Sequence, residues 1–158
     1  MSTLTLTTPT PVPAALVPPS SEMLAKLEIA QELILSRPQV EINTEHLLHG
    51  GMYTRTVRLP AGIWMIGSLI RLATVLIIHG SCSVVMGDEI ADLSGYNVIP
   101  GCVGRKQLFL THGPVEMTMI FPTSAQSVVE AEDEVCVEAD QLASRRDGSR
   151  DTVTITGQ

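Results

Sequence analysis

The sequence predicts a mostly β chain: a sandwich or barrel of short strands, with a helix before it and a short helical segment after it. Three observations predict this. Between residues 39 and 122, alternating or apolar stretches recur at roughly ten-residue spacing and are punctuated by glycine and proline, as in antiparallel sandwiches and barrels. The apolar fraction is 44% while aromatics reach only 3%, so the core must be aliphatic, and its many β-branched residues suit pleated surfaces. A length of 158 residues fits one domain with appendages.

The elements follow in chain order. Residues 1–20 form a Pro/Thr-rich arm; its stretch 2–20 holds five prolines and no charged side chain, which favours an extended or polyproline-like path. Residues 21–38 hold a helix. Ser20 or Ser21 can cap it, and Met23, Leu27, Ala30 and Ile34 share one face. Arg37-Pro38 ends it, because the residue before proline avoids the α region. Residues 39–122 read as strands: Val40–Asn43, Tyr53–Leu59, Ile63–Ile70, Thr74–Ile78, Ser81–Met86, Tyr96–Ile99, Arg105–Thr111 and Val115–Phe121. Turns are expected at His79-Gly80, Met86-Gly87-Asp88 and His112-Gly113-Pro114. The buried set expected from these strand phases is Val57, Leu59, Leu76, Ile78, Val85, Ile99, Leu108, Leu110, Met119 and Phe121. Residues 123–158 turn helical at the capping-box pattern Ser127-Val-Val-Glu130, run as an acidic helix to about Ser144, and close on an edge strand at Thr152–Thr156.

Charge excludes one class of partner. The formal net charge is −7, which opposes non-specific nucleic-acid binding, since that needs a basic face. The acids between residues 124 and 144 read as a solvated helix face. No stretch of about 18 apolar residues is present, so no membrane partner is expected. The N-terminus lacks the basic start of a secretory signal. The three cysteines, Cys82, Cys102 and Cys136, form no CxxC pair and suit a reducing compartment.

The framework Leu59-Pro-Ala-Gly62, an apolar strand, the glycine at 80 and then Gly95-Tyr-Asn-Val-Ile-Pro-Gly101 resembles a cupin domain over about residues 44–122. The resemblance implies a cupin-type double-stranded β-helix, a jelly-roll barrel. In cupins, two glycine-framed motifs supply three His and one Glu to a metal inside the barrel. Counted from Gly62, the first two His positions fall on Ser68 and Ile70, the Glu position near Thr74 or Val75, and the last His near Arg105. None of these is a ligand, so the resemblance implies a barrel without the metal site. More narrowly, His49-Gly-Gly-Met-Tyr53, Ala73–Ile78, Gly95–Pro100, Gly104–Gln107, Glu130-Ala-Glu132 and Ile155-Thr-Gly157 resemble cupin-like proteins of tailed phages and prophages.

Each chemical candidate has a plainer reading beside it. Glu45, His46 and His49 form the one His cluster and could supply metal ligands, or be ordinary residues at the entry to a strand. Arg105 and Lys106, with Arg55, Arg58 and Arg71, could line a cavity and bind an anion, or make salt bridges at a rim; the second reading is preferred. Cys102 has no His close in sequence and reads as inert. No Ser-His-Asp spacing, phosphate loop or paired catalytic carboxylate appears.

These readings lead to a non-enzymatic assembly protein without cofactor or metal. The expected role is a phage virion component, such as a capsid decoration, cement or connector-type subunit, present in the host cytoplasm during assembly and then in the virion. Its expected partners are itself, as a homodimer or higher oligomer, and other phage structural proteins such as the major capsid protein. The arm residues Leu4, Leu6, Val12, Leu16 and Val17 are expected to bind a neighbouring subunit. The alternative is a metal-dependent or small-ligand-binding cupin using His46 and His49.

Overall fold

Pairing between two long strands sets the architecture. In the computed structural model, which describes residues 15–146 and 151–157, β4 (Thr74–Met86) and β7 (Leu108–Pro122) run antiparallel to one another. Near its start β4 also pairs with β6 (Tyr96–Gly101), and near its end with β5 (Glu89–Leu93). β7 begins beside β3 (Trp64–Ile66) and continues beside β2 (Met52–Leu59), which pairs with β1 (Thr44–His49). The last strand, β8 (Asp151–Thr156), lies parallel to β1. The two long strands therefore take part in both walls of a jelly-roll, the double-stranded β-helix expected from the sequence.

The corner between the walls lies where β4 and β7 bend together. The register slips there, from Gly80 opposite Val115 to Cys82 opposite Thr111. Gly80 has φ +131°, and a Cβ at this position would collide with the Pro114 carbonyl oxygen. Only glycine allows the two backbones to come so close.

This corner corrects two expected turns. His79-Gly80 and His112-Gly113-Pro114 do not end strands; they bend strands that continue. Strand phase is preserved through the bend. Leu76, Ile78, Cys82, Val84 and Met86 of β4 all point inward, as do Phe109, Val115, Met117, Met119 and Phe121 of β7. Leu59, Leu76, Ile78, Ile99, Met119 and Phe121 are buried as expected. Val85, Leu108 and Leu110 are half-buried, with Val84 and Phe109 taking the inward places, because phasing the segments on either side of each supposed turn separately shifted them by one residue. Val57 is half-buried because it faces a cavity.

Helix α1 (Ser21–Leu35) begins at Ser20, whose hydroxyl accepts from Met23 N at 3.1 Å. Its inward face carries the expected residues, with Leu27 fully packed. Residues 40–43, expected to be a strand, form an irregular connection instead. The expected run Ile63–Ile70 pairs only over β3 and then runs beside residues 104–107: Gly67 N donates to Gln107 O at 3.0 Å, and Ile70 N to Arg105 O at 2.9 Å. Helix α2 (Val128–Val135) opens on the expected Ser127 cap, with Glu130 N donating to Ser127 Oγ at 3.2 Å, while the Glu130 carboxylate reaches one residue further back than the expected box and accepts from Gln126 N at 3.0 Å. It stops at Cys136, short of the expected end. The chain resumes as a single 3₁₀ turn at Ala139–Gln141 and a short α3 at Ala143–Arg146.

The arm residues Leu4, Leu6 and Val12 lie outside the described residues. Leu16 corrects its assignment to a neighbouring subunit. It is 0% exposed in its own chain's core, and its backbone bonds to Pro100 O and Cys102 N, each at 2.8 Å. Burying one leucine contributes about 1.5–3 kcal/mol, so this stretch docks in cis. Val17 beside it stays 42% exposed.

The uninterrupted phase of β4 has a direct test. Ile78→Ala, at a fully buried site, is expected to lower stability by about 2–5 kcal/mol, and Val75→Ala, on the outer face, by less than about 0.5 kcal/mol. Chemical denaturation of the two variants measures both.

Candidate functional site

A half-open cavity of about 640 Å³ lies between the barrel wall and α1, within the size range of small-molecule pockets. Its walls are aliphatic and sulfur-rich, with Val57, Met65, Leu76, Phe109, Met117 and Met119 facing the space. The C-terminal end of α1, the connection at residues 37–40, and α3 border it, and Trp64 stands among the lining residues while 57% exposed.

Arg105 is the chemically unusual member of this wall. It is 5% exposed, and no carboxylate of the described residues pairs with it. Its Nη1 donates to Gln107 Oε1 at 2.6 Å, and its Nη2 to Thr74 Oγ1 at 3.0 Å and to Met119 Sδ at 3.5 Å. Gly101 leaves the room, since a Cβ there would press on both Arg105 Nε and Thr74 Oγ1. The backbone of residues 67–70 fixes the segment from the other side. Burial pushes the guanidinium down to about 10, so it stays protonated at neutral pH. Arg105 Nε and Gln107 Nε2 are both buried without a hydrogen-bond partner. Desolvating a charge and leaving it unpaired costs several kcal/mol, and folded chains rarely retain such a group without a use for it.

The other cations considered with Arg105 are accounted for. Arg55, also on the cavity wall, pairs with Glu132 at 2.6 Å. Arg58 pairs with Glu45 and Glu116 on the outer surface. Arg71 caps the end of α2 through Asp133 O and Cys136 O. Lys106 donates to Gln31 Oε1 at 2.6 Å and approaches Glu138. The salt-bridge reading thus holds for Arg55, Arg58 and Lys106, and fails for Arg105.

Glu132 corrects the reading of the acidic helix as wholly solvated. It is 2% exposed and lies between Arg55 and Arg145, with Ser144 Oγ donating to it at 2.8 Å. Its neighbours Glu130, Asp133 and Glu134 are exposed as expected. The signal was present: Val128, Ala131, Glu132 and Val135 share one helical face, and Glu132 is the single acid on it.

The structure separates the expected His cluster. Successive residues of β1 point to opposite sides, so Glu45 and His49 face outward while His46 is buried. Glu45 binds Arg58, and His49 Nδ1 lies 3.1 Å from Thr156 Oγ1. No group of three or more metal-ligating side chains occurs among the described residues. His46 Nδ1 meets Tyr53 Oη at 2.7 Å, while Nε2 lies 3.4 Å from Asp151 Oδ2 on β8 without a hydrogen bond. Burial and, next, Arg55 hold its pKa below the ordinary 6.5.

A serine, a histidine and an aspartate do meet, although their spacing gives no sign of it. Ser83 Oγ lies 2.7 Å from His112 Nε2 but donates its proton to Asp92 Oδ1 at 2.5 Å. His112 therefore faces an oxygen whose proton is already committed, and Asp92 does not orient the imidazole. The arrangement is the reverse of a nucleophilic triad. Cys82 and Cys136 are buried, and burial raises both thiols.

No protein-family model matches the chain, and no curated protein is detectably similar to it. Solved structures do resemble it. A cupin superfamily protein from Desulfitobacterium hafniense shares 13% identity over 56% of this chain and 83% of its own, with a TM-score of 0.45. An RmlC-like cupin with a double-stranded β-helix fold from Methanocaldococcus jannaschii shares 17% identity over 55% and 84%, at 0.43. The cupin domain of Schizosaccharomyces pombe Cnp3 shares 14% over 63% and 71%, at 0.45.

Two predictions follow from the charged groups. Glu132→Gln leaves Arg55 buried beside a neutral amide, and a loss of about 3–5 kcal/mol is expected in denaturant unfolding. For His46, the unfolded chain takes up a proton more readily than the folded one. Its stabilising contribution is therefore complete above pH 6.5 and is lost as pH falls below it. The melting temperature is expected to fall as the pH drops below about 6.5, and His46→Gln is expected to flatten that limb.

Proposed function

We propose that this chain is a small-molecule-binding barrel whose ligand occupies this cavity. The observation that carries the reading is a cavity of about 640 Å³ with apolar walls and one buried, unpaired cation, Arg105. Convergent polar groups in an otherwise apolar hollow are what bind and orient a small ligand. The positions that the cupin resemblance matches to metal ligands hold Ser68, Ile70, Thr74 and Arg105, so recognition here relies on hydrogen bonds, one fixed charge and burial. The role is that of a carrier, sensor or store, with no catalytic step assigned.

A second reading is favoured by one specific observation. On the outer face of β4 and β6, Val75, Tyr96 and Val98 are 42%, 65% and 56% exposed, and Ile77 pairs with Val98 between them. Such an apolar strip suits association with another copy, as in the phage-type assembly subunit that the sequence suggests. The two readings are compatible, because the strip and the cavity use opposite faces of the same wall.

The cavity reading is tested with a neutral, environment-sensitive apolar dye. The dye is expected to bind about one per chain, and Val57→Trp, which fills the space from β2, is expected to abolish binding while the circular dichroism spectrum is retained. Undiminished binding to Val57→Trp would place the dye elsewhere. For the second reading, Val98→Glu is expected to shift an oligomer towards monomer in light scattering, whereas a wild type that is already monomeric would contradict it.

A further inference from the structure

We propose that the ligand is a monocarboxylate on an apolar body, its carboxylate held by Arg105 and Gln107 deep in the cavity; this rests on the small-molecule reading above. The charge count along the cavity wall sets the anion. Arg55 is already neutralised by Glu132 at 2.6 Å, while Arg105 has no acid partner among the described residues. Of the four arginines that line the cavity, Arg55 is paired and Arg37 and Arg146 are exposed to solvent, so the buried wall has one positive charge to compensate. A neutral ligand leaves that charge unpaired, and a dianion brings an excess negative charge against the same buried wall.

The donors set the shape of the head group. A guanidinium is a planar fork that matches a carboxylate better than a point charge does. Thr74, Gln107 and Met119 hold the Arg105 side chain in place, so little freedom remains to be lost on binding. Gln107 turns its oxygen to Arg105, and its Nε2, with the residue 1% exposed, has no partner. Both residues are among those that line the cavity.

The walls set the body. Met65, Met117 and Met119 are unbranched and adapt to irregular shapes, which suits a flexible aliphatic chain better than one rigid ring system. The site thus does with a fixed organic cation what a metal would otherwise do: it recognises an acid.

The test is calorimetric titration of the full-length protein, near neutral pH, with decanoate, 1-decanol and decyl phosphate below their aggregation limits. Decanoate is expected to bind one per chain, about 10- to 100-fold more tightly than 1-decanol. Arg105→Met is expected to remove that advantage and leave decanol binding intact, and Arg58→Met, at an outer-surface arginine, to change neither. If Arg105→Met fails to fold, Gln107→Leu serves in its place and is expected to weaken decanoate selectively. Equal binding of decanoate and decanol would overturn the carboxylate assignment and leave the apolar cavity standing. Failure of all three ligands to bind would overturn the small-molecule reading itself. Decyl phosphate binding as tightly as decanoate would overturn the restriction to a single charge.

Discussion

The pairing of β4 with β7, bent together at Gly80, is the constraint on which the remaining structure depends. Each strand is long enough to serve both walls, so each wall is tied to the other by covalent chain as well as by packing. Because the phase is preserved through the bend, a single alternation supplies the inner surface of the whole barrel. Short strands with tight turns would have needed each piece to find its own register. The cost falls on one position, where any side chain at Gly80 would strike the opposing backbone.

The barrel that results is lined unevenly. Towards β5 and the corner, Val84, Cys82 and Ile78 close the space completely. Towards α1 the walls diverge and leave the cavity. Two of the arginines that line it are withdrawn from solvent, and they are treated in opposite ways. Arg55 is matched by Glu132, which reaches in from α2 and couples the C-terminal helices to the barrel through Arg145 and Ser144. Arg105 donates hydrogen bonds but meets no counter-charge. Ion pairing explains the first and leaves the second as the feature that a structural account alone does not require.

Much of this was legible in the sequence. Glycine and proline spacing marked a β barrel, Ser20 and Ser127 marked two helix starts, and the alternation at Thr152–Thr156 marked the last strand. The errors in turns and strand phase share a cause. Glycine beside histidine at 79–80, and glycine beside proline at 113–114, are turn signals locally, but here they make a bend that exists only because the two segments face each other. Pairing across about 35 residues of sequence is invisible to a window of ten. Arg105 was visible as one of five candidate cations, yet nothing local distinguishes an arginine that finds a carboxylate from one that does not. That difference was decided by α2 and by residues 67–70, both distant in sequence. The metal reading of Glu45, His46 and His49 failed for a simpler reason, since strand alternation sends His46 and His49 to opposite faces.

The central claim is that Arg105 is present for a ligand and not for the fold. Thermal unfolding of Arg105→Met without ligand tests this most directly. Removing an unpaired buried charge relieves its desolvation, while methionine refills most of the volume and leaves Gln107 and Thr74 to readjust. The account predicts a melting temperature that is unchanged or raised. A fall of more than about 10 °C, about 3 kcal/mol for a chain of this size, would show that the guanidinium holds the barrel together and would contradict the account.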